Sequence, residues 1–205
     1  CHQIMMENYV CPGELIFGAD SHTCSYGALG AFGTGVGCTD LLYGMVTGKS
    51  WVLVPETVKF NLVGKLPEGV YARDLILTII GTIGANGCNY QVMEFTGEGA
   101  KTLSISERMV LCNMAVEAGA KTGIFEPDEK AIEYLEAHGR KPKALFKSDP
   151  DAVYAREYTF DLSKIRPVVA KPDFVDNLVP AEEVRGVKID EAFLGSCNNG
   201  RIEDL

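Results

Sequence analysis

Along residues 57–63 apolar Val58, Phe60 and Leu62 alternate with Lys59 and Asn61, the period of two that marks a strand with one buried face. Between Arg73 and Ile83 the apolar positions Leu75, Ile76, Ile79, Ile80 and Ile83 recur at helical spacing, and glycines at 81, 84 and 87 weaken and then end the element. Gln91–Phe95 reads as a short strand running into the turn Thr96-Gly97-Glu98-Gly99, which puts Glu94 near a strand end. Ser104 and Glu107 have capping-box spacing, and Met109, Cys112, Val116 and Ala120 carry a helical face on towards Gly123. Pro127 suits the first position of a further helix, with Ile132 and Leu135 inward and Gly139 as its stop.

Upstream, residues 1–57 read as strand, loop, glycine-rich turn and helix. Leu15, Ile16 and Phe17 form a strand-like run, and Thr39 or Asp40 is the expected cap of a helix over Leu41–Thr47 stopped by Gly48. Downstream, residues 141–148 read as a connection, 152–155 as a short helix and Tyr158–Leu162 as a strand. The stretch 165–183, with Pro167, Pro172 and Pro180, reads as an extended crossing. Ala192, Phe193 and Leu194 read as a strand entering the loop at Gly195. Strands that alternate with helices predict an α/β class, in three modules: 1–57, 58–155 and 156–205.

Composition narrows the picture. Of 205 residues, 46% are apolar, enough for a buried core. No apolar run is long enough to span a membrane and no charged-then-apolar leader is visible, so the expected compartment is the cytoplasm, with no membrane partner. A net charge of -9 argues against a nucleic-acid surface; the cluster Arg140, Lys141, Lys143 and Lys147 reads as a solvated connection. Seven cysteines without a CxxC are not a disulfide framework. The chain begins at Cys1 and closes at Leu205 just after what reads as the opening of a strand-loop-helix unit, and it is expected to be part of something longer.

Candidate chemistry gathers at Asp20-Ser21-His22, which follows the Leu15–Phe17 run and precedes glycines 27, 30, 33, 35 and 37. Those glycines are out of register with a dinucleotide fingerprint and lack its acidic partner, so they read as bends and close contacts. His138 falls at a helix C-terminus, where an imidazole suits the dipole and needs no further role. His2 and His22 each lie near an aspartate and could be structural or could work as acid–base groups. Cys197, between Gly195-Ser196 and Asn198-Asn199, could be a buried thiol, a nucleophile or a metal ligand.

Taken in order, His2-Gln3-Ile4, Pro12-Gly13, Gly18-Ala19-Asp20-Ser21-His22-Thr23, Glu94-Phe95-x-Gly97-x-Gly99, Cys112-Asn113-Met114-Ala115, Gly119-Ala120-Lys121 and Gly195-Ser196-Cys197-x-Asn199-Gly200-Arg201 resemble the aconitase family of hydro-lyases. Within it the pattern is most similar to the large subunits of 3-isopropylmalate dehydratase and homoaconitase. The resemblance implies aconitase-like three-layer α/β domains: the end of a first domain (1–57), a second (58–155) and the start of a third (156–205) carrying the first cluster cysteine.

It further implies a [4Fe-4S] cluster with Cys197 as one of three cysteine ligands, the other two lying in a later CxxC that these residues lack. Asp20 would orient His2, Glu94 would orient His22, and Ser21 would lie near the substrate carboxylates. The implied reaction is dehydration and rehydration of a hydroxy di- or tricarboxylate, in leucine biosynthesis for 3-isopropylmalate, with a swivelling-domain small subunit as partner. Homocitrate-derived acids, citrate and a methylated malate are the alternative substrates, and a cluster-free RNA-binding or inert fragment is the non-enzyme alternative. The isolated chain is expected to be inactive. Many relatives carry Thr where this chain has Asn198, and Arg201 is the arginine best placed to meet a polyanion.

Overall fold

The computed structural model describes residues 1–204. Its centre is a four-stranded, wholly parallel sheet of β3 (Thr57–Val63), β4 (Val92–Thr96), β5 (Thr122–Phe125) and β6 (Arg156–Asp161), in the order β5-β4-β3-β6. The alternation in β3 does what it predicts: Val58, Phe60 and Leu62 are buried while their neighbours are half-buried. Register aligns Phe60 with Phe95 on one side and Tyr158 on the other, and Phe95 with Phe125. The result is a row of four rings at 5.5, 5.6 and 5.0 Å, the cross-strand pairing that holds a sheet in one register.

Helix α3 (Ala72–Ile83) crosses from β3 to β4 and buries Leu75, Ile76, Ile79 and Ile80. Asp74 accepts from the Tyr71 backbone at its start. Between β4 and β5 run α4 (Glu98–Thr102), α5 (Ile105–Asn113), which begins with the Ser104/Glu107 capping box, and a tighter 3-10 turn, Met114–Ala118, closed by left-handed Gly119. The helical face expected to continue towards Gly123 therefore ends at Asn113 and turns. Helix α6 (Glu129–Ala137) is capped by Asp128, one residue beyond the proline expected to open it.

The first part of the chain docks on this layer. Strands β1 (Leu15–Gly18) and β2 (Phe32–Gly35) pair in parallel, joined by a buried 3-10 segment, Ser21–Leu29, that lies against α5 and β5. At Gly27 a side chain would drive into the Gly123 carbonyl of β5, and at Gly35 a Cβ would lie 2.7 Å from the Asp20 carbonyl. Those two glycines let the backbones touch, so the candidate Asp20-Ser21-His22 turn is pinned to the sheet.

Several elements differ from expectation. His2–Asn8 is a short helix, α1, that the sequence reading does not include; it buries His2 and Met6, four residues apart, a face too brief for periodicity to reveal. α2 (Cys38–Thr47) starts after Gly37 and buries no residue. Residues 152–155 are not helical, and Phe193 and Leu194 lie exposed outside any strand. The 165–183 crossing holds a small antiparallel pair, β7 (Val168–Ala170) with β8 (Leu178–Pro180), seated on α3 at Gly81. Strand β6 lies beyond the expected boundary at 155 yet hydrogen-bonds to β3 as the sheet edge.

A candidate acid–base site between the His22 turn and the Cys197 loop

Asp20 caps the 3-10 segment with extended backbone, and its Oδ1 accepts from the His22 N–H at 2.8 Å. The same oxygen faces two imidazoles, His2 Nε2 at 3.3 Å and His22 Nδ1 at 4.0 Å. A carboxylate only accepts, so His2 carries its proton on Nε2. Its other nitrogen, Nδ1, is 3.3 Å from the Tyr26 hydroxyl and takes that donor. Both nitrogens of His2 are thus occupied by the protein, and the ring is buried. Burial pushes its pKa below the ordinary 6.5, against the upward pull of Asp20.

His22 is the more open imidazole, with 26% of its side chain exposed, and its Nε2 lies 3.4 Å from Glu117 Oε1. Glu117 stands on the 3-10 turn after α5, the element packed against the His22 segment. Glu94, expected to orient His22, lies elsewhere: its carboxylate accepts from Ser148 and Tyr154 hydroxyls at 3.0 and 3.1 Å. The reason is register. Glu94 alternates with buried Phe95 and so points to the sheet face opposite α3 and α5, which the 141–155 connection covers with Tyr154 beside Lys59.

Two clefts meet at this place. One, of about 710 Å³, is lined by His22, Arg73, Asn113, Glu117 and Cys197. The other, of about 560 Å³, is lined by His2, Asp20, Cys197 and Arg201. Ser196, Cys197 and Asn199 line both, so this loop is their common wall. Ser21 lines neither; it opens with Asp20 onto a separate groove of about 580 Å³ bordered by Thr34, Asp40 and Trp51. His138 Nδ1 donates to the Tyr134 carbonyl at 2.7 Å as a helix-end residue.

The thiols divide sharply. Cys24, Cys88 and Cys112 are buried, and burial pushes Cys24 up to about 12, Cys88 up to about 11 and Cys112 well above the ordinary range. They are packing residues. Cys197 is exposed on a loop that turns through Gly195, Ser196 and Gly200 at positive φ, which aims the thiol into the clefts. Among the described residues no three His, Cys, Asp or Glu side chains are placed to hold a metal ion. The described residues therefore do not complete a ligand set for a metal or cluster.

Reading the sequence alone misses Glu117, Tyr26, Asn113 and Arg73 as members of this site. An acid between buried Ala115 and Ala118 is a usable signal for Glu117, and Asn113 falls in the Cys112–Ala115 motif of the resemblance; nothing local marks Tyr26 or Arg73.

The aconitase family (aconitate hydratase) model matches residues 1–185. The large subunit 1 of 3-isopropylmalate dehydratase from Methanopyrus kandleri is 52% identical over 206 aligned positions, covering 100% of this chain and 49% of that protein. The large subunits of 3-isopropylmalate dehydratase from Hydrogenobaculum sp. and Aquifex aeolicus are each 52% identical over 205 positions, covering 100% of this chain and 48% of each relative. The chain spans about half the length of the curated relatives it matches.

Proposed function

The chain belongs to the aconitase family, and from that premise we propose that it is part of the catalytic large subunit of a hydro-lyase that dehydrates and rehydrates a hydroxy dicarboxylate, 3-isopropylmalate first among candidates. The identity of about half of all positions to large subunits bearing that name supports the substrate. The observation that carries the chemistry is the single carboxylate oxygen of Asp20 facing two imidazoles beside the Cys197 loop.

His22 is the acid–base residue of the proposal. Held between Asp20 and Glu117, its ring gives a proton to the departing hydroxyl and recovers it on rehydration. His2, with both nitrogens engaged, keeps the Asp20 carboxylate in place. Glu117 takes the orienting role first assigned to Glu94. Arg201, lining the second cleft, is the cation proposed to meet substrate carboxylates, while Arg73, lining the first, is held by Asn198. Ser21, in the separate groove, keeps its assigned place near a carboxylate only if the substrate reaches that groove.

Cys197 is proposed as one ligand of a [4Fe-4S] cluster whose other ligands lie outside these residues; such a cluster, when bound with an open iron, supplies Lewis acidity towards a hydroxyl oxygen. A small subunit is the proposed partner, as the relatives' designation as large subunits implies, and leucine biosynthesis is the proposed setting.

The test is turnover by the full parent protein, assembled with its small subunit and reconstituted anaerobically, on 3-isopropylmalate, homocitrate, citrate and dimethylmalate. Preference for 3-isopropylmalate by at least tenfold in kcat/KM, a difference of about 1.4 kcal/mol in transition-state stabilisation, is the expected result. Preference for another acid reassigns the substrate, and no turnover with an intact cluster overturns the reading.

A further inference from the structure

Asn198, beside the cleft thiol, is 6% exposed, yet its amide is fully engaged. Its Oδ1 accepts from Arg73 Nη1 at 2.7 Å. Its Nδ2 donates to the Val110 carbonyl and to Asn113 Oδ1, each at 3.3 Å. Asn113 is itself buried, and its Nδ2 donates to Ser25 Oγ at 2.9 Å. The Ser25 hydroxyl then donates to the His22 carbonyl at 2.7 Å.

Every step in this chain runs the same way: guanidinium to Asn198, Asn198 to Asn113, Asn113 to Ser25, Ser25 to the backbone of His22. Each amide accepts on one side and donates on the other, and the one hydroxyl proton of Ser25 is used once. Bonds aligned head to tail polarise one another, with a permanent cation at the head. The chain spans the floor of the cleft, from the loop that carries Cys197 to the turn that carries His22. A hydroxyl at 198 could accept from Arg73 but has a single proton to donate, so only an amide serves Val110 and Asn113 together.

We propose that Asn198 is a positioning residue: with Arg73, Asn113 and Ser25 it forms a directional hydrogen-bonded strut that sets the Cys197 loop against the His22 turn. The inference rests on the reading that this cleft is where the two residues act. It gives Asn198 a task distinct from any contact with substrate.

The experiment is hydrogen exchange by mass spectrometry on the full-length parent protein, wild type against Asn198→Leu, which keeps the volume and removes the amide, and Asn198→Asp, which keeps the Arg73 bond and cannot donate. Both variants are expected to speed exchange about tenfold in residues 195–201, from the direct loss of one or two buried hydrogen bonds, and also in the remote 21–26 segment, which loses its support through Asn113. Faster exchange at 195–201 alone, or at neither, overturns the strut. Should Asn198→Leu fail to fold, Ser25→Ala breaks the strut from the far end and is expected to loosen 195–201; no change there overturns it as well. In the assembled enzyme the variants are expected to lower kcat with KM within twofold, whereas a raised KM with unchanged kcat would place Asn198 at the substrate and overturn the positioning role. If the parent turns over none of the hydroxy acids, the proposed reaction fails while the exchange results still decide the strut.

Discussion

Asp20 is the residue on which the site turns, since one of its oxygens meets the His22 backbone, the His2 ring and the edge of the His22 ring. His22→Asn should lower kcat of the assembled enzyme by about 10²–10⁴-fold, the range for loss of a positioned acid–base group, while cluster absorbance is retained; equal turnover removes His22 from proton transfer. Cys197→Ser should abolish that absorbance. His2 provides a pH test. Its folded-state pKa lies below 6.5, so folded protein keeps the ring neutral where the unfolded chain would protonate it. Stability linked to His2 is therefore present above pH 6.5 and is lost as pH falls through the folded pKa. An imidazole resonance of His2 titrating with a midpoint under 6.5 is the expected observation, and a midpoint above it contradicts the burial argument.

At the scale of elements, the joint between the 3-10 segment and the sheet carries the site. Gly27→Ala would push a methyl into the Gly123 carbonyl, and overpacking of this kind costs about 1–3 kcal/mol. A lowered urea midpoint with unchanged slope is expected, together with weakened activity, because the same segment carries His22. A second joint ties α5 to the start of α6: Arg108, 1% exposed, grips both oxygens of Asp128 at 2.8 and 2.6 Å and lies over Phe125. Removing one partner of such a pair costs about 3–5 kcal/mol because the other charge stays buried. Burial pushes Asp128 upward, but the Arg108 guanidinium outweighs it and holds the carboxyl below its ordinary 3.8. Its contribution is present above that value and lost as pH falls through the folded pKa, so Asp128→Asn should flatten the acid limb of a stability–pH curve.

Over the whole molecule, apolar surface is unevenly spent. The central sheet and its helices bury a continuous core, while α2 and the irregular stretch after it expose Leu42, Met45, Val46, Trp51, Leu53 and Val54. Grouped apolar surface of this kind marks a contact face or an aggregation liability. The 205-residue chain by itself should therefore self-associate as its concentration rises, as light scattering would record, and Met45→Lys with Val46→Lys should reduce the effect. A monodisperse monomer at all concentrations would remove that expectation. Among the described residues no helix is long and apolar enough to cross a membrane.

Periodicity and motif order, read from the sequence alone, determined the α/β class, the buried face of β3, the core helices α3 and α5, and the candidates Asp20, His2, His22 and Cys197. These are local signals: a two-residue or 3.6-residue repeat, a cap, a short run of reactive residues. Tertiary structure alone decided that His22 pairs with Glu117, 95 residues away, and that Glu94 does not join it. It alone placed Arg73 on Asn198 across 125 residues and closed Tyr26 onto His2. The short helix α1 and the β6–β3 pairing were likewise decided by packing. The physical reason is common to all of them. Backbone propensity acts over a few residues, whereas a side chain's partner is chosen by which surfaces the core brings together, and that choice leaves no trace in local pattern.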